Sequence, residues 1–206
     1  MTNRRGLRLL ALGLPLALLA PAAAHAETVV TDDTVGDVVK ANWEQRDLSE
    51  PAMVPAPDEV STDIVRTVVA HGTRRLSLTV RFREIARVND QSTFARIRTS
   101  DRGAFDLGLD KERGSRATVS LGTPQGDVDC QGLRGAIDRG ADRVVFSVPT
   151  TCLGDPRWVR LGVGATGVSW PPEGQDQMNF DLFADIAGRP TFANEPPVLG
   201  PRVHRG

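Results

Sequence analysis

Between Ile64 and Val168 apolar and polar residues alternate in short runs, the period of a strand with one buried and one wet face. Leu76, Leu78, Val80 and Phe82 fall on one side, and Ser77, Thr79, Arg81 and Arg83 on the other. The split recurs in Phe105, Leu107 and Leu109 against Asp106 and Asp110, and in Ala117, Val119 and Leu121 against Arg116, Thr118 and Ser120. Val144, Phe146 and Val148 form a further set, as do Val159, Leu161, Val163 and Ala165. Turn-forming clusters separate the runs, among them Asp101-Arg102-Gly103, Glu112-Arg113-Gly114, Pro124-Gln125-Gly126 and Gly154-Asp155-Pro156.

Strand signals of this spacing, without helical crossovers between them, predict an all-β fold. The expected architecture is an antiparallel β-sandwich, jelly-roll-like, with about 8–10 strands. Only Arg83 to Val88 and Phe180 to Ile186 leave room for a helical turn. The stretch Ser49 to Glu59 holds Pro51, Pro55 and Pro57 and predicts a connecting loop. Beyond Gly188, the prolines at 190, 196, 197 and 201 predict a tail that wanders over the surface or is disordered.

Residues 1–26 read differently. Arg4, Arg5 and Arg8 give a basic start, Leu7 to Ala20 forms an apolar core, and Ala24-His25-Ala26 has the small-x-small form of a cleavage site. The expectation is a signal peptide cut after Ala26, a single sandwich domain over 27–188 and a proline-rich tail over 189–206. The apolar run is too short to span a bilayer, and no cysteine near the cut offers a lipid acceptor. Arg4-Arg5 leaves general secretory and twin-arginine export both open, with Arg8 where the latter expects an apolar residue.

Export changes the meaning of the composition. The leader holds three of the 25 basic residues and none of the 26 acids, so the remainder carries a net charge of about −4, which argues against a nucleic-acid partner. Cys130 and Cys152 are the only cysteines. In an oxidising compartment they are expected to form one disulfide.

The stretch Ala136 to Val163 carries Ile137-Asp138, then Arg143-Val144-Val145-Phe146-Ser147-Val148-Pro149, then Cys152-Leu153-Gly154-Asp155-Pro156-Arg157-Trp158-Val159. It resembles a family of secreted actinobacterial β-sandwich proteins without an assigned function. Asp33, Gly36-Asp37 and Asp63-Ile64 are similar to the opening of DOMON-like and family-nine carbohydrate-binding-like modules. That second resemblance implies an extracellular sandwich that binds a sugar or haem.

Candidate chemistry is sparse. Asp32, Asp33, Asp37 and Asp63 offer hard oxygen ligands from a loop and a strand start, which suits calcium. The same residues also make turns that cap strands. Trp43 and Trp170 sit near loops where an indole could stack on a sugar ring. Arg81, Arg83, Arg96 and Arg98 would share one anion-binding surface if their strands paired, unless Asp106 and Asp110 neutralise them. His71 reads as a hydrogen-bonded strand-end residue. Glu44, Glu50, Asp58, Glu59 and Glu84 supply carboxylates for glycan hydrolysis, which needs two at a set spacing.

The leading expectation is a secreted, non-catalytic sandwich that binds a ligand at the cell envelope, with a glycan or a protein as partner. An extracellular glycan hydrolase using a carboxylate pair and an interaction protein without a small ligand are the alternatives. Neither a membrane span nor a lipid anchor is expected.

Overall fold

The computed structural model describes residues 26–42, 52–86, 90–171, 180–188 and 197–206. Alternation along the chain becomes two antiparallel sheets whose apolar sides face each other. The chain starts in the first sheet with β1 (Glu27–Asp32) and crosses to the second for β2 (Val39–Asn42) and β3 (Ala52–Pro55). It returns for β4 (Ile64–His71) and β5 (Arg75–Phe82), then lays down β6 (Asp90–Thr99), β7 (Ala104–Lys111), β8 (Thr118–Thr123) and β9 (Gly126–Asp127) in the second sheet. Strands β10 (Arg134–Asp138) and β11 (Arg143–Pro149) rejoin the first sheet, and β12 (Trp158–Ser169), β13 (Asp181–Ile186) and β14 (Val203–His204) complete the second.

The first sheet has the order β1-β4-β5-β11-β10. The second runs β3-β2-β13-β12-β6-β7-β8-β9, with β14 beside the first residues of β12. Val80, Val144 and Phe146 from one sheet and Ile97, Val159 and Ala165 from the other are completely buried. The fold is therefore the expected all-β sandwich, and Cys130 and Cys152 form its disulfide.

Strand number exceeds the expectation, with fourteen among the described residues. The surplus lies in pieces of two to four residues, β2, β3, β9 and β14, too short to show a period. Strand β3 falls inside the stretch read as a loop. It is the outermost strand of its sheet and ends at Pro55, a place where a missing N–H costs no ladder bond. Residues 181–186, where the sequence leaves room for a helical turn, are β13, paired with both β12 and β2.

The C-terminal segment is also a correction, because residues 197–206 are bound to the sandwich. Gly200 N–H donates to Leu161 O at 2.8 Å, and the Arg160 guanidinium donates to the carbonyls of Gly200 and Leu199 at 2.7 and 2.8 Å. Arg202 stacks over the Trp158 ring at 4.5 Å, and Val203 is buried. His71, at the end of β4 and fully buried, has Nδ1 3.1 Å from Val203 O. Burial holds its pKa below the ordinary imidazole value. Gly162 is what lets the segment approach: a Cβ there would lie 2.6 Å from Pro197 O.

Gly162→Ala is therefore expected to detach this strap while the sheets persist. Hydrogen exchange should show faster exchange at Val203 and Gly200 in the variant, with the β5 and β11 amides unchanged. Equal protection in both proteins would contradict the strap's dependence on Gly162.

Candidate functional site

At one end of the sandwich the chain leaves β1 and crosses to β2 through residues 33–38. The ladder continues one residue past β1, with Asp33 N–H donating to Val65 O at 3.1 Å. Asp33 Oδ1 then accepts from Thr34 N–H and from Gly188 N–H, both at 2.9 Å. Gly36 adopts φ +81°, a left-handed conformation that costs glycine little, and its N–H donates to Asp63 Oδ2 at 2.9 Å. Asp37 follows at the entry to the second sheet.

Asp63 immediately precedes β4 and is fully buried. Asp185 lies on β13, opposite the core residue Ala165, and is 2% exposed. Its Oδ2 accepts from Ile64 N–H at 2.7 Å, which ties the second sheet to the start of β4 in the first. Asp37, Asp63 and Asp185 each bring one carboxylate oxygen within 4.8 Å of the other two.

Asp33, Asp63 and Asp185 are each anchored through one oxygen, and all four acids keep an oxygen buried without a partner: Asp33 Oδ2, Asp37 Oδ1, Asp63 Oδ1 and Asp185 Oδ1. Arg83 is the adjacent cation. Its Nη1 lies 3.2 Å from Asp63 Oδ2, and its Nη2 donates to the carbonyls of Pro57 and Glu59 at 2.8 and 3.0 Å. Burial pushes the Asp185 carboxyl up to about 8, reinforced by the charges of Asp37, Asp33 and Asp63. Burial, with Asp33 and Asp63 nearby, pushes Asp37 up to about 6. Asp33 and Asp63 are raised as well, each mainly by burial.

Of the four acids read from the sequence, Asp37 and Asp63 thus converge, with Asp33 near enough for its charge to act on both. Asp32 does not: it points outward, and its Oδ1 accepts from Arg66 Nε at 2.5 Å. Asp185 takes its place in the cluster. Nothing in the loop composition points to it, and its segment, Phe180 to Ile186, leaves room for a helical turn.

The four arginines do not share a surface. Arg81 is on the first sheet, whereas Arg96 and Arg98 are on β6 of the second. Arg96 pairs with Asp106 at 3.2 Å, as the neutralising alternative expects, and Arg98 lies opposite Arg160. Arg83 turns into the scaffold around Asp63. It also lines a cavity of about 630 Å³ with Glu84, Arg139 and Asp142, a set whose charges balance. Of the remaining acids read as hydrolytic candidates, Glu59 binds its own loop through Ser61 N–H at 2.7 Å. Trp43, Glu44 and Glu50 lie outside the described residues, and Trp170 donates through Nε1 to Asp90 Oδ2 at 2.6 Å.

Register assembles a different basic group. Asp32, Arg66, Arg81, Arg143 and Asp138 lie directly opposite one another across β1, β4, β5, β11 and β10. All five are on the outer, wet side of the first sheet. The terminal acids hold the flanking arginines, Asp32 on Arg66 and Asp138 on Arg143, whose Nη2 approaches Oδ2 to 2.8 Å. Among the described residues no carboxylate pairs with the central Arg81. Adjacent strands are ~4.8 Å apart, so three guanidiniums are crowded in a row against two carboxylates. Such like-charge neighbours across strands are unfavourable.

No family model, curated protein or solved structure matches the chain.

The raised carboxyls predict a pH trend. In metal-free buffer the native state keeps protons that an unfolded aspartate loses above about 4, so the stability these carboxyls contribute should fall as pH rises from about 4 toward 8, opposed below about 6.5 by His71, whose lowered pKa acts with the other sign. Melting temperatures in EDTA across this range should show the decline, with Asp185→Asn flattening its upper part. A slope unchanged by the variant would contradict the assignment to Asp185.

Proposed function

We propose that this chain is a non-catalytic, extracytoplasmic β-sandwich that binds an anionic glycan of the cell envelope through the outer side of its first sheet. The observation that carries this reading is the row Arg66, Arg81 and Arg143. Asp32 and Asp138 hold the outer guanidiniums in position, which lowers the ordering cost of engaging a phosphate or carboxylate at Arg81. An anion there relieves the repulsion among three neighbouring cations. The leader-like residues 1–26 and the Cys130–Cys152 bridge support an address outside the cytoplasm. No helix among the described residues is long and apolar enough to cross a membrane.

Purified protein should be retained on phosphate-rich or uronate-rich polysaccharide and released by salt, because exposed charge pairs are screened. It should pass through neutral dextran. Arg81→Glu is expected to weaken retention about tenfold or more, while Arg98→Glu on the other sheet leaves it unchanged. Equal binding to the neutral polymer, or full binding by the Arg81 variant, would overturn the reading.

A further inference from the structure

We infer that Asp37, Asp63 and Asp185, with Asp33 beside them, form an internal site for one hard divalent cation of the calcium class. The inference is independent of the anionic-glycan reading and goes beyond it.

The first ground is geometric. An ion about 2.3–2.6 Å from each oxygen leaves its ligand atoms up to ~4.6–5.2 Å apart, and the three carboxylate oxygens lie within 4.8 Å of one another. These spacings bring the three oxygens close to the reach of one ion.

The second ground is the state of the unused oxygens. Asp63 and Asp185 are almost completely buried, and each has one oxygen occupied by backbone N–H groups and one with no donor. Asp37 Oδ1 and Asp33 Oδ2 are in the same condition. Buried acceptors without donors are rare and costly. A single cation held by Asp37, Asp63 and Asp185 gives these three buried carboxyls a common partner, with the Asp33 carboxyl beside it. Arg83 meets Asp63 through Oδ2 and leaves Oδ1 open.

Ligand chemistry then selects the ion. All the donors are carboxylate oxygens, which favour calcium, magnesium or manganese over the softer metals bound by thiolate and imidazole. Magnesium holds its oxygens at about 2.0–2.1 Å in strict octahedra and retains several waters, a poor match for ligands buried inside the fold. The N–H groups of Gly36, Ile64, Thr34 and Gly188 hold the outer oxygens and so orient the inner ones, as surrounding hydrogen bonds do at metal centres.

The ligands come from the β1–β2 crossover, the start of β4 and β13. The ion therefore fastens the two sheets at this end.

The test uses the full chain stripped with EDTA and dialysed into metal-free buffer. Calcium chloride at up to about 10 mM should raise the melting temperature by about 5–10 °C at saturation, and titration calorimetry should give about one ion per chain. Magnesium chloride should produce a smaller shift. Asp185→Asn should abolish the calcium shift yet melt no lower than the stripped parent protein, since it removes a buried, repelled carboxyl. Should that variant fail to fold, the half-buried Asp37→Asn supplies the same comparison. Asp32→Asn should keep the full calcium shift. Absence of heat and of any thermal shift in the parent protein would overturn the site, as would an undiminished shift in the Asp185 or Asp37 variant. An equal response to magnesium would overturn the calcium assignment. Failure of glycan retention would leave these results unaffected, so the two readings fail separately.

Discussion

Two packed sheets bury one side of their central strands, so the chain must cross repeatedly between layers without leaving polar backbone stranded. Everything distinctive about this molecule follows from how it meets that demand. The core itself is conventional, with Leu76, Leu78, Val80 and Phe82 of β5 and Val144, Phe146 and Val148 of β11 lining one inner side. The crossings are where unusual groups collect. At one end, Ile64 N–H would be an orphan between the layers, and the Asp185 carboxylate accepts it. That bond brings an acid into the interior, and the other acids gather around it.

The opposite end is closed by different means. There the Cys130–Cys152 bridge joins the segment before β10 to the 3-10 turn Thr150–Leu153 after β11. The C-terminal strap reaches the same end, where Gly206 N–H donates to His71 O and Thr73 Oγ1 donates to Gly206 O. A covalent link and a strap secure one end. Charged groups dominate the other, inside the fold as carboxylates and outside it as the arginine row.

Much of this was legible from period and spacing. Leu76 to Phe82 declared their buried side, the cysteine pair declared its bond, and the crowding of Asp33, Asp37 and Asp63 in turn-like sequence marked the end where they meet. Asp185 was hidden because the segment Phe180 to Ile186 is short and has no clean alternation: Ala184, Asp185 and Ile186 are all buried. An acid between two buried apolar residues is the signal that a strand reading would have exposed. The arginine row was hidden for another reason. Which residues of β4, β5 and β11 stand opposite one another depends on register, and grouping Arg81 with Arg83, Arg96 and Arg98 relied on proximity in sequence and an assumed pairing.

Asp32 and Asp33 are neighbours in the chain with opposite destinations. The first completes the outer charge row through Arg66, and the second turns inward to the carboxylate cluster. Because a strand alternates its sides residue by residue, a slip of β1 by a single position would exchange these destinations, setting a carboxylate loose at each place. The edge strand of the first sheet thus works as a parity check: its register is read simultaneously by a basic surface and by an acidic interior, and only one alignment of β1 satisfies both.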